Sequence, residues 1–412
     1  MSQAARALDR IFRAESGAVL ATLIRVLGDF QLAEDALQDA LASALATWPS
    51  SGLPASPAGW LITTARRKAL DRLRHSRIVA SKAPEIALLA QLERADRSEP
   101  SELSPVPDDQ LRLIFTCCHP ALSSEAQVAL TLQVLGGLSI AEIARAFLVN
   151  DSTIAQRLSR AKHKIAHAHI PYEIPDRASL ASRLHGVLGV LYLVFNEGYL
   201  ATSGRQLVRG DLVADALRLA RGLVELLPDE PEAVGLLALM VLHDARREAR
   251  IDERGELILL EEQDRGKWDA ERIAEGVRLV ETALAQLRPG SYQIQAAIAA
   301  LHAEAATAAD TDWPQIVLLY DQLLRYEPTP VVELNRAVAI CFADSPERAL
   351  ALVDDLAGRG VLSSYAPLYL ARADLLRRLG RNDEAYECYR HALSLAENEQ
   401  VRRFIERRLR EK

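Results

Sequence analysis

The residues best suited to chemistry lie in the second half of the stretch from Leu138 to Ile165, and that chemistry is hydrogen bonding to nucleic acid. Arginine and glutamine can bond to base edges in the major groove, whereas lysine and histidine suit phosphates. The polar and basic positions are Ser152, Thr153, Gln156, Arg157, Arg160, Lys162, His163 and Lys164. They surround an apolar stripe at helical spacing, formed by Ile154, Leu158, Ala161 and Ile165. The alternative is an ordinary corner between two helices with a solvated basic face.

A shorter helix must precede this one and hold it in place. Ser139 and Glu142 have the spacing of a capping box, which satisfies free N–H groups at a helix start. Apolar residues then recur at helical spacing, and the pattern breaks at 148–150. Asn150 or Asp151 can cap the second helix. The stretch therefore predicts a helix-turn-helix, a motif whose second helix enters the major groove of DNA.

A second basic helix is predicted from about Ala58 to His75, after a proline-containing loop from Pro49 to Pro57. Trp60 can pack inward from this helix. The cationic side chains left toward solvent or phosphate are Arg66, Arg67, Lys68, Arg72 and Arg74. A basic surface helix without a ligand is the alternative interpretation.

An acidic helix precedes both basic ones. Gly28 ends a first amphipathic helix over 6–27, and Asp29 begins the next. The polar side of this next helix carries Asp29, Glu34, Asp35, Gln38 and Asp39. An acidic helical face is usually only solvated. Its place close in sequence to basic helices favours a surface that docks on another protein.

No combination of residues predicts catalysis, a cofactor or a metal site. His243 with Asp244, and His302 with Glu304, lack a third ligand or a nucleophile. Cys117 and Cys118 are adjacent and precede a histidine, but no second ligand pair follows at zinc spacing. We therefore expect a buried helix end there, no cofactor, and a protein that is not an enzyme.

Composition favours a largely helical protein of several domains. The chain has 412 residues, a net charge of −7 and 5% aromatic residues. Residues 1–170 carry 19 basic and 17 acidic side chains, whereas residues 171–412 carry 30 and 39. Because the chain shows neither a long apolar run nor a signal sequence, we expect a cytoplasmic protein without a membrane segment.

The C-terminal half contains an approximate repeat. Ile316, Ala349 and Ala385 mark corresponding positions, 33 and 36 residues apart, and tetratricopeptide repeats have a period of about 34 residues. The last copy has Glu397 where proline is usual. A plain helical bundle is the alternative.

Two inserts interrupt the helical pattern of this half. A small β-hairpin is predicted at about Arg250–Leu260. The FNEGY and QDRGKW segments could line a groove that binds a peptide, a protein or a small effector, or could be simple connections between helices. The candidate groove residues are Asn196, Glu197, Tyr199, Asp264, Arg265 and Trp268.

Taken in order, these pieces resemble a bacterial RNA polymerase sigma factor. Residues 5–75, with AEDALQDALASALATW and SPAGWLITTARRKALDRLR, resemble region 2, and residues 108–166 resemble region 4. Because regions 1 and 3 are lacking, the chain resembles sigma factors of the extracytoplasmic-function class. FNEGY, LLALMVLHDARR and LNRAVAI resemble a subgroup with a long tetratricopeptide-like tail.

The resemblance implies an all-α fold in four parts: region 2 over 1–76, a linker over 77–107, region 4 over 108–170 and a helical-repeat extension over 171–412. It implies that the acidic helix docks on the β′ clamp helices of core RNA polymerase, with a further contact to the β flap. The Pro49–Pro57 loop and the Trp60–Arg74 helix would capture and melt the −10 promoter element, and the helix from Thr153 to Lys164 would read the −35 element.

Two other functions remain open on the sequence alone. The chain could be a helix-turn-helix regulator with a helical-repeat sensor that does not replace sigma. The tail could also be a helical-repeat enzyme or ligand-binding module attached to a DNA anchor.

Overall fold

The described part of the protein is built mainly from α-helices. The computed structural model describes residues 17–77, 107–147, 149–168, 170–200, 208, 210–252 and 256–411. They form two compact units, Met1–Leu193 and Val194–Lys412. Within the described residues, no helix combines the length and the apolar character that a bilayer crossing requires.

The first unit contains two groups of helices. The first group is α1 (17–27), α2 (Phe30–Ser51) and α3 (Pro57–Arg77), and the second is α4 (Pro107–Cys117), α5 (Ser124–Val134), α6 (Ile140–Ala146) and α7 (Asp151–His167). Helix α8 (Arg177–Tyr199) begins in this unit. The residues between the groups, which belong to the predicted linker, lie outside the described residues, as do residues 6–16 of the predicted first helix.

Local signals explain where the first helices begin and end. Gly28, with φ of +68°, ends α1 because this left-handed conformation is easily adopted only by glycine. The carboxylate of Asp29 then accepts a hydrogen bond from the backbone N–H of Leu32 at 2.7 Å and caps α2. These are the boundaries expected from the sequence.

The predicted loop from Pro49 to Pro57 is shorter in the structure. Pro49 lies inside α2, which continues to Ser51, so the loop covers only 52–56. The hydroxyls of Ser50 and Ser51 donate to the carbonyl of Thr47 at 2.9 and 3.0 Å. These bonds occupy a carbonyl near the helix end and favour an additional half turn beyond the proline.

The predicted helix-turn-helix is formed by α6 and α7. Ser139 and Glu142 make both bonds of the capping box, at 2.8 and 3.2 Å. Ile143 of α6 and Leu158 of α7 are buried. Asn150 occupies the N-cap position of α7, although its side chain makes no capping hydrogen bond.

The second unit continues with ten helices in the described residues: α9 (Gly210–Leu226), α10 (Pro231–Asp244), α11 (Ala270–Leu284), α12 (Ser291–Glu304), α13 (Trp313–Tyr326), α14 (Pro330–Ala343), α15 (Pro346–Gly358), α16 (Ala366–Arg378), α17 (Asn382–Leu395) and α18 (Glu399–Arg410). Ile316, Ala349 and Ala385 lie in α13, α15 and α17, and each is at most 3% exposed. The repeat marks are therefore packing positions between successive helices.

The small hairpin predicted at about Arg250–Leu260 is present as a short antiparallel pairing, with a bridge between Ile251 and Leu257. The backbone N–H of Asp252 donates to the carbonyl of Glu256 at 3.0 Å, and that of Ile258 donates to the carbonyl of Arg250 at 2.9 Å. The chain then forms short 3₁₀ turns at Leu260–Glu262 and Arg265–Lys267 before α11 begins. Leu257 and Leu259 also pack against the core of the last repeats, so this segment both pairs with itself and covers the helices.

Candidate nucleic-acid interface

Helix α7 presents a polar surface on the sides away from its packed stripe. Ile154, Leu158, Ala161 and Ile165 are buried, and they fix the rotation of the helix. This rotation leaves Arg157 half-buried and exposes the other predicted polar residues Ser152, Thr153, Gln156, Arg160, His163 and Lys164. Lys164 contacts the carbonyl of Ala121. This exposed set includes two side chains able to bond to base edges, Gln156 and Arg160.

Lys162 does not lie on that free surface. Its ammonium donates to the carboxylate of Glu34 on α2 at 2.6 Å, and the side chains of Lys162 and Glu34 are only 15% and 11% exposed. Glu34 was predicted to dock on another protein and Lys162 to contact phosphate, but in the structure these two side chains form an ion pair. This corrects the expectation that both face solvent.

The other carboxylates of the acidic helix are also engaged. Arg72 of α3 reaches Asp35 at 2.9 Å and Asp39 at 2.8 Å. All three side chains remain more than a third exposed, so each pair contributes at most about 1 kcal/mol to stability. Asp29 is exposed and caps its helix, and Gln38 is exposed. The acidic surface is thus partly neutralised by a residue predicted to touch promoter DNA.

Helix α3 divides its predicted residues between core and surface. Trp60 is half-buried, and its ring lies edge-on to Trp48 with centroids 5.3 Å apart. Arg66 is only 5% exposed, which contradicts its predicted orientation toward solvent or phosphate. Its position one residue after Ala65 places it at the margin of the packed stripe, where helical periodicity alone is ambiguous. Arg67, Lys68 and Arg74 are exposed.

A buried carboxylate joins the two groups of helices, and the sequence reasoning missed it. Asp109 of α4 is fully buried and receives Arg25 of α1 at 2.6 Å and Arg112 at 2.7 Å. The hydroxyl of Tyr172 lies 2.8 Å from the carbonyl of Ala21 and 2.9 Å from that of Asp109. Burial, reinforced by Asp109, raises the pKa of Tyr172, so the phenol stays protonated and can donate. No local pattern marks these residues.

The paired cysteines lie at a buried helix end, as expected. Burial raises the pKa of Cys118 to about 11, and its thiol contacts the Thr131 hydroxyl at 3.6 Å. A protonated buried thiol is a poor nucleophile and a poor metal ligand.

The predicted groove residues of the C-terminal unit separate into two sets. Tyr199 stacks under Arg250, 3.7 Å from ring centroid to guanidinium carbon, while Asn196 and Glu197 are half-buried nearby on α8. Trp268 is buried, so it cannot line an open groove. Arg265 lies 4.6 Å from the Trp268 ring centroid, and Asp264 is exposed and caps the 3₁₀ turn. Arg265 lines a cavity in this unit.

Comparison with known proteins divides the chain in the same order. Residues 11–78 match the family described as Sigma-70 region 2, and residues 112–165 match Sigma-70, region 4. Residues 183–284 match a family of unknown function, DUF6596, and residues 366–399 match a tetratricopeptide repeat. An uncharacterized protein of Rhizobium meliloti (strain 1021) is 44% identical over 395 residues, which cover 95% of this chain and 92% of that protein.

Proposed function

Because the chain belongs to the sigma-70 family, with region 2, region 4 and a tetratricopeptide-like extension, we propose that it binds core RNA polymerase and directs initiation at specific promoters. Members of this family are transcription initiation factors, so the polymerase would catalyse RNA synthesis. The protein would act in the cytoplasm. We assign region 2 to 1–76, the linker to 77–107, region 4 to 108–170 and the extension to 171–412, as in the extracytoplasmic-function class.

The observation that carries this proposal is the orientation of α7. Its buried stripe leaves Gln156 and Arg160 exposed along one helix, next to Thr153 near the N-terminal end of that helix. In helix-turn-helix proteins the first part of the second helix meets base edges. We assign these residues and Arg157 to reading the −35 element. His163 and Lys164, nearer the end of the helix, suit phosphates.

Helix α3 would act on the −10 element. Arg67, Lys68 and Arg74 are exposed cations along it, and Trp60 adds an aromatic surface near its start. Aromatic and cationic side chains together hold unpaired bases, and these contacts offset the cost of melting. Arg72 would join them after leaving Asp35 and Asp39.

The acidic face of α2 would dock on the β′ clamp helices. In the structure Glu34 is covered by Lys162, so docking through Glu34 requires α2 and α7 to separate. Separation would also free Lys162 for phosphate. We therefore infer a resting form in which the proposed polymerase-binding helix α2 and the proposed DNA-binding helix α7 are paired through Glu34 and Lys162.

Co-elution with core polymerase and run-off transcription on fragments of the source genome test the proposal. Wild-type protein should co-elute and give discrete transcripts, whereas Asp35→Lys with Asp39→Lys should lose both. Glu281→Lys, an exposed charge reversal on α11, is the matched control. A regulator that does not replace sigma would keep its DNA binding but give no transcripts with core enzyme alone.

The role of the extension can be measured in the same assay. Full-length protein is compared with residues 1–170, which end where the proposed extension begins. A more active truncated chain would assign the extension an inhibitory role, and a less active one would assign it an assisting role.

A further inference from the structure

The C-terminal unit encloses a cavity that the sigma function does not use. Its volume is about 620 Å³, within the range of pockets that hold small molecules. One wall is formed by helices of the tetratricopeptide-like repeats, including Leu370 and Ala371 of α16. Leu257, Leu259, Leu260 and Glu261 also line the cavity, and they belong to the segment 256–262, which we call the strap.

Three ion pairs fasten the strap across the repeats. Arg407 binds Glu256 at 2.6 Å, Arg378 binds Glu261 at 2.5 Å and Arg408 binds Glu262 at 3.0 Å. Between these pairs Leu257 and Leu259 pack on the core of the last repeats. Because the strap is held at both ends, the space behind it is a defined cavity.

The body of the cavity is apolar and aromatic. Trp313 and Phe342 stack with ring centroids 4.3 Å apart, and both side chains are only half-buried. Tyr389 and Phe404 complete the aromatic lining. Such walls gain free energy by covering a flat or aliphatic ligand.

Arg265 in the cavity lining forms no salt bridge with any described residue, although the negative charge of Asp310 partly offsets the lowering of its pKa by burial and by Arg246. Arg265 donates to the backbone carbonyls of His302 and Ala305 and to the hydroxyl of Thr311, all of which are neutral. Its Nε is buried without a hydrogen-bond partner among the described residues. Arg378, the other lining arginine, is instead neutralised by Glu261 and Asp374.

His302 beside this arginine stays neutral. Burial, together with the positive charges of Arg246 and Arg265, lowers the pKa of His302 to about 4. Within the described part of the chain, its Nδ1 is buried without a hydrogen-bond partner. The end of the cavity therefore combines positive potential with an uncharged imidazole.

We propose that this cavity binds a small amphipathic carboxylate, whose apolar body lies against Trp313 and Phe342 and whose carboxylate meets Arg265. A carboxylate supplies the directly bonded anionic partner that Arg265 lacks among the described residues. Charge-assisted hydrogen bonds of this kind are about twice as strong as neutral ones. An amine would be repelled, and an alcohol would leave the arginine unneutralised. The ligand would contact the strap and the repeats together.

Titration calorimetry on the full-length protein tests the proposal with three probes of equal chain length: octanoate, octan-1-ol and octylamine. Octanoate should bind at least about tenfold more tightly than the other two, because one charge-assisted contact distinguishes them. Arg265→Gln should remove this preference and leave weak binding by the apolar body. Arg265→Lys should keep the preference.

The second part of the experiment fills the cavity with larger side chains. Ala371→Trp and Ala308→Trp each place a large side chain in the lining and should abolish octanoate binding, while Ala351→Trp on an exposed face of α15 should not. Thermal melting identifies any variant that fails to fold. Equal affinity for all three probes, no binding of any probe, or octanoate binding that survives both filling variants would overturn the proposal. These outcomes do not depend on transcription, so they leave the proposed sigma function untouched.

Discussion

The contact between Glu34 and Lys162 gives the sharpest test of the resting form. At 2.6 Å the Coulomb attraction is about 6 kcal/mol for an effective dielectric constant of 20. Removing both charges from water offsets most of it, since the side chains are 11% and 15% exposed. The net contribution should be that of a charge-assisted hydrogen bond, about 1.5–3 kcal/mol.

Glu34→Gln keeps the size of the side chain and removes its charge. The ratio of separated to closed molecules should then rise about 10- to 150-fold, since 1.4 kcal/mol corresponds to a factor of ten. Spin labels at Ala42→Cys on α2 and Ala166→Cys on α7, both exposed positions, report this ratio by pulsed electron resonance. The native cysteines are buried and should react slowly.

Glu173→Gln, the same change at an exposed residue of the same unit, should leave the distance distribution unchanged. Lys162→Gln should broaden the distance distribution as Glu34→Gln does. The double variant should broaden it little further, because the two single changes remove the same interaction. A narrow distribution retained in Glu34→Gln, or fully additive effects, would refute the idea that this pair holds the helices together.

Three further predictions follow from other parts of the chain. Arg157→Ala should cost about 1–3 kcal/mol of promoter discrimination in competition binding, and an equal loss on all DNA sequences would instead make Arg157 a phosphate contact. His302 binds a proton more readily in the unfolded chain than in the folded one, so the free energy of unfolding should fall as the pH drops from about 6.5 toward 4. Urea titrations of His302→Gln should show a weaker pH dependence of this free energy. The same pH dependence in His302→Gln as in the wild type would contradict the assignment. Ala349→Leu should destabilise the repeats by about 1–3 kcal/mol in thermal or urea melts, because Ala349 is fully buried between helices, whereas Ala351→Leu at an exposed position should be nearly neutral.

Local patterns predicted most of the helices and several of their ends. Gly28, Asp29 and the Ser139–Glu142 box act within one turn of their own helix, so nothing distant is needed to interpret them. Pro49 was misinterpreted because its effect depends on how the neighbouring serines bond. The pairing within the hairpin at 250–260 was predicted from local alternation, but its packing on the last repeats was not, because that contact joins residues far apart in the chain.

The sequence by itself determined the helical class, the order of the parts, the basic side of α7 and the repeat spacing, because each depends on residues within a few turns. Only the tertiary structure decided which charges meet. Glu34 and Lys162 are 128 residues apart, Arg25 and Asp109 are 84 apart, and Glu261 and Arg378 are 117 apart. Helical periodicity says which side of a helix is polar, but which charge that side meets depends on packing between helices far apart in the chain, and this packing placed Lys162 on Glu34 and Arg265 at the end of a cavity.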